Sequence, residues 1–265
     1  MRIIVCVKAV PGSTEVKMDP KTNTIVRDGG AAVINPFDAA ALEVALGIKD
    51  ERRRQGLPCE VAVLSMGIPA TEDLLRDCIA RGADRGLLLS DRAFAGADTL
   101  ATTHALACGI RRLGVPDMVL CGKMAVDGDT AQIGPELAGA LGMPCASGVT
   151  ELLGADGRTV AVRREVDGGE AVAELPLPAI LTVAKDVAYL RMASIAGIRA
   201  ARSVDIPVLS AGDVGADPAR IGLAGSPTQV VRSFVPERAA EAVSIAGTVA
   251  EQADALAALL KEMGV

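Results

Sequence analysis

The sequence predicts an α/β fold: a mostly parallel sheet with helices on both faces, extended by a β-hairpin meander and ending in a C-terminal arm. Three observations predict it. Up to about residue 145, short β-branched runs alternate with longer helical stretches, the pattern of a parallel sheet covered on both sides. From about Ser147, extended pieces follow one another around glycine-rich turns, as antiparallel hairpins do. After Asp186 the periodicity fades until a final amphipathic segment, roughly Thr248 to Met263.

Taken in order, Ile3 to Val7 is a continuous apolar run and reads as a buried strand. Two short pieces near Val16-Lys17-Met18 and Thr24-Ile25-Val26 flank Asp19 to Asn23 and read as a hairpin. Asn35-Pro36 fits a cap followed by proline in the first turn of a helix that ends in charged residues, Lys49 to Arg54. Strands are expected at Val61 to Ser65, Gly86 to Leu89 and Asp117 to Cys121, with helices at Thr71 to Arg81, Ala97 to Leu113 and Asp129 or Thr130 to Leu141. Val149 to Leu152, Val160 to Val166 and a piece after Gly168-Gly169 form the meander. Ala179 to Val183 is apolar again and is expected to return to the main sheet.

Composition bounds the function. The chain of 265 residues suits one large domain, or a domain with an extension, and half of its residues are apolar. Only 2% are aromatic and the net charge is −6, which argues against stacking on bases or neutralising a phosphate backbone. Six scattered cysteines without a C-x-x-C pair, and the single His104, argue against a metal site. Several of those cysteines lie in apolar runs and read as small buried hydrophobes. Met1 to Val7 is too short and too soon interrupted by Lys8 to be a signal peptide. No apolar run approaches the roughly 20 residues of a membrane span. The chain therefore reads as soluble and cytoplasmic, with reduced thiols.

The familiar catalytic motifs are absent: no G-x-x-x-x-G-K-[ST], no G-x-G-x-x-G after a strand, no G-x-S-x-G. No catalytic acid or base stands out, and His104 reads as structural. Open parallel sheets bind ligands at the carboxyl ends of their strands. Those ends read Lys8-Ala9-Val10-Pro11, Ser65-Met66-Gly67, Ser90 to Phe94, and Cys121 through Gln132. Gly122 and Gly128 let backbone approach a ligand. Asp129 or Thr130 can cap the next helix, turning its N–H groups toward a phosphate. Asp127 suits a ribose hydroxyl or a turn, and Thr99 with Thr102 share a face at the start of another helix. Together they point to a bound anionic ligand with ribose and adenine.

These residues resemble a known family. Val5 to Lys8, Asn35-Pro36-Phe37-Asp38, Gly82-Ala83-Asp84, Gly122 to Asp129, and above all Val162 to Glu170 continuing through Leu175 to Thr182, are similar to the beta subunit of electron-transfer flavoproteins over essentially the whole chain. The resemblance implies an adenine-nucleotide alpha-hydrolase-like sheet and a heterodimer with a larger alpha subunit that carries a redox FAD. It divides the chain into a nucleotide- or flavin-binding domain, 1–190, and a recognition loop with an arm that wraps the alpha subunit, 191–265. It also implies an adenylate site at Cys6, Ala9, Asn35, Pro36, Phe37, Asp38, Ser65, Met66 and Gly67, with Gly122, Lys123, Met124, Ala125, Val126, Asp127, Gly128, Asp129, Thr130, Ala131, Gln132 and Ile133.

In housekeeping members that site holds structural AMP, and the carrier serves acyl-CoA or other dehydrogenases. In the electron-bifurcating group it holds FAD that takes a hydride from NADH. Ser90 to Thr102, Asp127 to Glu136 and Gly225 to Val230 resemble the bifurcating group, with Asp98, Thr99 and Thr102 as the extra cofactor contacts and ferredoxin or flavodoxin as acceptor. Arg191 to Ile198 resembles the loop that docks on partner dehydrogenases, with Ile195 as its anchor. A free-standing adenylate-hydrolysing domain is disfavoured, because no phosphate-binding Gly-Lys motif is present.

Overall fold

The apolar runs lie side by side. The computed structural model describes residues 1–12, 32–231 and 244–264. In chain order its elements are β1 (Arg2–Cys6), β2 (Ala9–Pro11), β3 (Ala32–Ile34), α1 (Pro36–Arg54), β4 (Glu60–Met66), α2 (Thr71–Arg81), β5 (Arg85–Leu89), α3 (Thr99–Leu113), β6 (Met118–Gly122) and α4 (Ile133–Leu141). Then come β7 (Cys145–Ala155), β8 (Thr159–Val166), β9 (Gly169–Pro176), β10 (Ala179–Val183), α5 (Ile195–Ala201), β11 (Val208–Leu209) and α6 (Val249–Glu262).

One nine-stranded sheet has the order β11-β5-β4-β1-β6-β10-β7-β8-β9. Pairing is parallel from β11 to β7 and antiparallel through β8 and β9. The fold is thus the predicted one, and Ala179–Val183 does return to the main sheet, between β6 and β7. β2 and β3 form a separate antiparallel pair.

Alternation along each strand builds two cores. Ile3, Val5, Val61, Val63 and Leu120 face α1 and α2, whereas Ile4, Cys6, Leu64, Val119 and Cys121 face α3 and α4. Ile3, Ile4 and Val5 are fully buried, each worth about 1.5–3 kcal/mol before chain entropy is counted. α1 begins at Pro36 and ends in Arg52, Arg53 and Arg54, which suit the negative end of its dipole. α3 is capped by Asp98, whose side chain accepts from the Ala101 amide.

Three expectations need adjustment. The helix expected from Asp129 or Thr130 begins at Ile133, because Asp129 and Ala131 take left-handed φ of 50° and 54°. β7 starts at Cys145 and joins β10 before it enters the meander. The stretch after Asp186 contains α5, capped by Ser194, and the two-residue strand β11 on the edge of the sheet. The hairpin expected near Val16 and Thr24 lies outside the described residues.

The described residues form two units, one reaching to Val230 and the other comprising Val231 and residues 244–264. In the second, α6 starts in a capping box: Thr248 Oγ1 accepts from the Glu251 amide, and the Glu251 carboxylate accepts from the Thr248 amide at 2.7 Å.

Candidate functional site

The chain leaves β1 through α1 toward β4 and β5, and later places β6 on the other side of β1. That reversal makes the carboxyl ends of β1 and β6 the topological switch point, where open α/β sheets bind ligands. Most of the predicted site residues gather there.

Asp38 ties the two strand ends together. It is 7% exposed; its Oδ2 accepts from the Lys8 amide at 2.8 Å and its Oδ1 from the Gly122 amide at 2.9 Å. Burial pushes its carboxyl up to about 7, against the pull of those amides, of Asn35 and of Lys8. A group raised in this way favours the folded state at low pH, and that contribution is lost as pH rises from the ordinary carboxylate range through about 7.

Asn35 precedes α1 but does not cap it. Its Nδ2 instead donates to Met124 O at 2.9 Å, and its Oδ1 accepts from the Val126 amide at 3.2 Å, so one buried side chain brackets the start of the loop after β6. Lys8 Nζ donates to Asp127 at 2.6 and 2.8 Å, pinning that loop to the end of β1. Lys123 pairs with Glu165 on β8. Gly122 has no room for a side chain: a Cβ there would overlap Asp38 Oδ1 and lie 2.5 Å from Phe37 Cβ.

Beyond Asp127 the loop is exposed as far as Gln132. Asp129 and Ala131 hold positive φ, an uncommon state for non-glycine residues that clusters at functional sites and turns successive N–H groups into anion-binding concavities. α4 then starts with no side-chain cap, which leaves its first N–H groups available to an anion. Space beside Gly128 is open. Asp129 and Thr130, expected as caps, do not cap α4, whose N-cap position is Gln132.

The N-terminus of α3 meets that of α4. Thr99 Oγ1 lies 3.1 Å from both Gln132 Oε1 and Glu136 Oε1, and Thr103 donates to Glu136 at 2.9 Å. Asp98 is already engaged. Its Oδ1 accepts from the Ala101 amide at 3.1 Å, while its Oδ2 accepts from Thr228 Oγ1 at 2.8 Å and the Thr228 amide at 3.1 Å. Burial pushes this carboxyl up, but the hydrogen bonds outweigh it and leave the group below the usual range. The amide of Thr102 donates to Asp98 O.

At the end of β4, next to β1, Ser65 is buried with no hydrogen-bond partner for its hydroxyl among the described residues, Met66 is half-buried, and the Gly67 amide donates to Leu89 O. Ala9, half-buried in β2, pairs with Ile34. Cys6 and Cys121 are buried neighbours; the Cys6 thiol and then burial hold the Cys121 thiol far above its ordinary range, so it is not a reactive group. His104 Nε2 accepts from the Asp217 amide at 3.3 Å. Among the described residues no cluster of side chains could hold a metal ion. Sequence reasoning did not single out Lys8 or Glu136 as site side chains. Their partners lie 119 residues away for Lys8, and 37 and 33 residues away for Glu136.

A groove of about 360 Å³ opens beside the same loop, lined by Lys123, Ala131 and Pro135 on one side and Ser147, Gly148 and Glu165 on the other. Such a volume is on the scale of small-molecule sites. Ile195 belongs to a different surface. It is 79% exposed on α5, with Met192 and Tyr189 exposed before it, and the loop is fastened by Arg191, which reaches Glu43 at 2.8 Å and Asp50 at 2.7 Å.

This geometry defines a class: an α/β protein with backbone N–H groups gathered at the switch point of a mostly parallel sheet. The comparisons narrow it. The electron transfer flavoprotein domain matches residues 22–214. The chain is 45% identical to the caffeyl-CoA reductase-Etf complex subunit CarD of Acetobacterium woodii, over 99% of this chain and 98% of that protein. It is 43% identical to the electron transfer flavoprotein subunit beta of Megasphaera elsdenii over 89% and 88%, and 43% identical to Protein FixA of Azorhizobium caulinodans over 97% and 93%. The chain belongs to the electron transfer flavoprotein family, as a beta subunit, in which the partner is an alpha subunit. Among the described residues no helix is long and apolar enough to cross a membrane.

Proposed function

We propose that this beta subunit holds FAD at the switch-point site and works in flavin-based electron bifurcation. When bound, FAD supplies acceptance of a hydride from NADH and release of its two electrons singly, one to the alpha-subunit flavin and one to a low-potential acceptor such as ferredoxin or flavodoxin. The chain's residues bind and orient. The N–H groups of residues 130–134 suit a diphosphate, that of Asp129 being spent on Ala125 O at 2.8 Å; Asp127 suits a ribose hydroxyl, and Asn35 and Asp38 hold the surrounding backbone. Thr99 and Thr102 are proposed contacts to the rest of the cofactor. Asp98 acts in this reading by fixing the start of α3 against Thr228.

The observation that carries FAD over AMP is the groove that shares Lys123, Ala131 and Pro135 with the phosphate-binding loop. In this reading it takes the part of FAD that extends past the adenylate. The second reading, AMP in a housekeeping carrier, uses the same backbone donors and leaves that groove to solvent.

In the same proposal residues 1–190 are the cofactor domain and residues 191–265 the docking loop and arm. Ile195 is the apolar anchor for a partner dehydrogenase, α6 engages the alpha subunit, and the complex works in the cytoplasm. Exposed aliphatic anchors of this kind serve small, transient interfaces.

Anaerobic titration of the purified heterodimer with NADH tests the proposal. Bleaching of bound flavin by NADH alone, with no dehydrogenase present, is the expected result. A heterodimer whose flavin stays oxidised under NADH and is reduced only through a dehydrogenase would instead be the housekeeping carrier.

A further inference from the structure

An aspartate in the first turn of a helix ordinarily serves the free N–H groups or the dipole of its own helix. Asp38 does neither with its hydrogen bonds. Both oxygens are given to other elements, Oδ2 to the Lys8 amide at the end of β1 and Oδ1 to the Gly122 amide at the end of β6. The two strands flank the switch point, and each runs straight into a loop of the candidate site. The fit around Asp38 is close, since the backbone at Gly122 lies against Asp38 and Phe37 with no space for a methyl group. Asn35, three residues earlier, extends the same bracket to Met124 and Val126.

We propose that Asp38 is a positioning residue for the nucleotide site: its ionised carboxylate clamps the ends of β1 and β6, and protonation releases one side of the clamp. The proposal rests on the reading that a nucleotide binds at this switch point. The chemistry is that of a carboxyl group between two donors. Ionised, both oxygens accept. Protonated, one oxygen carries a hydrogen and is the poorer acceptor of the two, so the bond to one of the two strand ends weakens.

The environment makes this reversible in the neutral range. Burial opposes ionisation and the amides favour it, which leaves the carboxyl titrating at about 7. Among the described residues the groups facing Asp38 are Lys8 from the end of β1, Asn35 from before α1, Cys121 from β6 and Cys78 from α2. Burial pushes the Cys78 thiol up to about 12, and Cys121 is held higher than ordinary as well, so neither thiol exchanges a proton there. A nucleotide that needs both strand ends in place binds the ionised form, and by linkage its affinity rises with pH up to about 7.

The test is the rate at which the beta-site nucleotide leaves the intact heterodimer near pH 6 and near pH 8, for the wild type and for Asp38→Asn. The released species is followed as FAD or as AMP. The wild type is expected to release it roughly tenfold faster at the lower pH, whereas Asp38→Asn releases it fast at both. A variant that keeps the wild-type pH dependence overturns the proposal, as does a wild type with none. Infrared spectra of the wild type, isotope-labelled at aspartate, supply a readout that needs neither the variant nor a ligand. A buried protonated-carboxyl band that grows as pH falls through about 7 supports the clamp, and no such band refutes it. A heterodimer with nothing bound to this chain contradicts the proposed occupant of the site, while the infrared band still decides the clamp.

Discussion

Alanine at Gly122 is expected to destabilise the subunit by about 2–4 kcal/mol and to empty its nucleotide site. The added methyl group would overlap Asp38 Oδ1 and press on Phe37 Cβ. Phe37 is 7% exposed and sits in the first turn of α1, so it cannot swing aside cheaply. Overpacking of this kind costs about 1–3 kcal/mol. Pushing Asp38 away also strips a buried carboxyl of one amide donor, a further loss of about 1 kcal/mol or more. Denaturant unfolding of wild-type and Gly122→Ala heterodimers measures the first effect, and the nucleotide retained after gel filtration measures the second. Alanine at Gly128, where nothing stands within 4 Å of a Cβ, is the control and should leave stability nearly unchanged.

Asn35→Ala is expected to have the next largest effect. Asn35 is 1% exposed, and its amide satisfies both Met124 O and the Val126 amide. Removing it leaves a donor and an acceptor without protein partners, at about 1–3 kcal/mol. The loop is also freed from α1 at the point where it starts toward Asp127 and the left-handed residues. Nucleotide affinity should fall roughly tenfold or more, because ordering that loop then opposes binding. Asn35→Asp separates the two contacts: it keeps an acceptor for the Val126 amide but presents an acceptor to Met124 O. An affinity unchanged by either substitution, measured by calorimetry, would show that the bracket does not shape the site.

The sheet was legible because its central strands are buried on both faces and therefore read as continuous apolar runs, as Ile3 to Val7 does. Asn35-Pro36 marked the start of α1 correctly, yet the purpose of Asn35 was not readable there. Its partners, Met124 and Val126, lie 89 and 91 residues along the chain. Asp98 shows the same division: its local bond to Ala101 follows from a cap at a helix start, while its bond to Thr228 spans 130 residues. The start of α4 was misplaced for a different reason. Asp129 and Thr130 look like caps, and nothing in an alanine announces the positive φ that Ala131 adopts. β11, two residues long, is too short to leave a periodic trace.

Family membership identifies the protein as a flavoprotein subunit, and the strand-end loops are the proposed place of its nucleotide. The occupant of the site decides which kind of carrier this is. Releasing the cofactors from the purified heterodimer and counting them tests it most directly. Two FAD per heterodimer, with no AMP, are expected. One FAD with one AMP would contradict it.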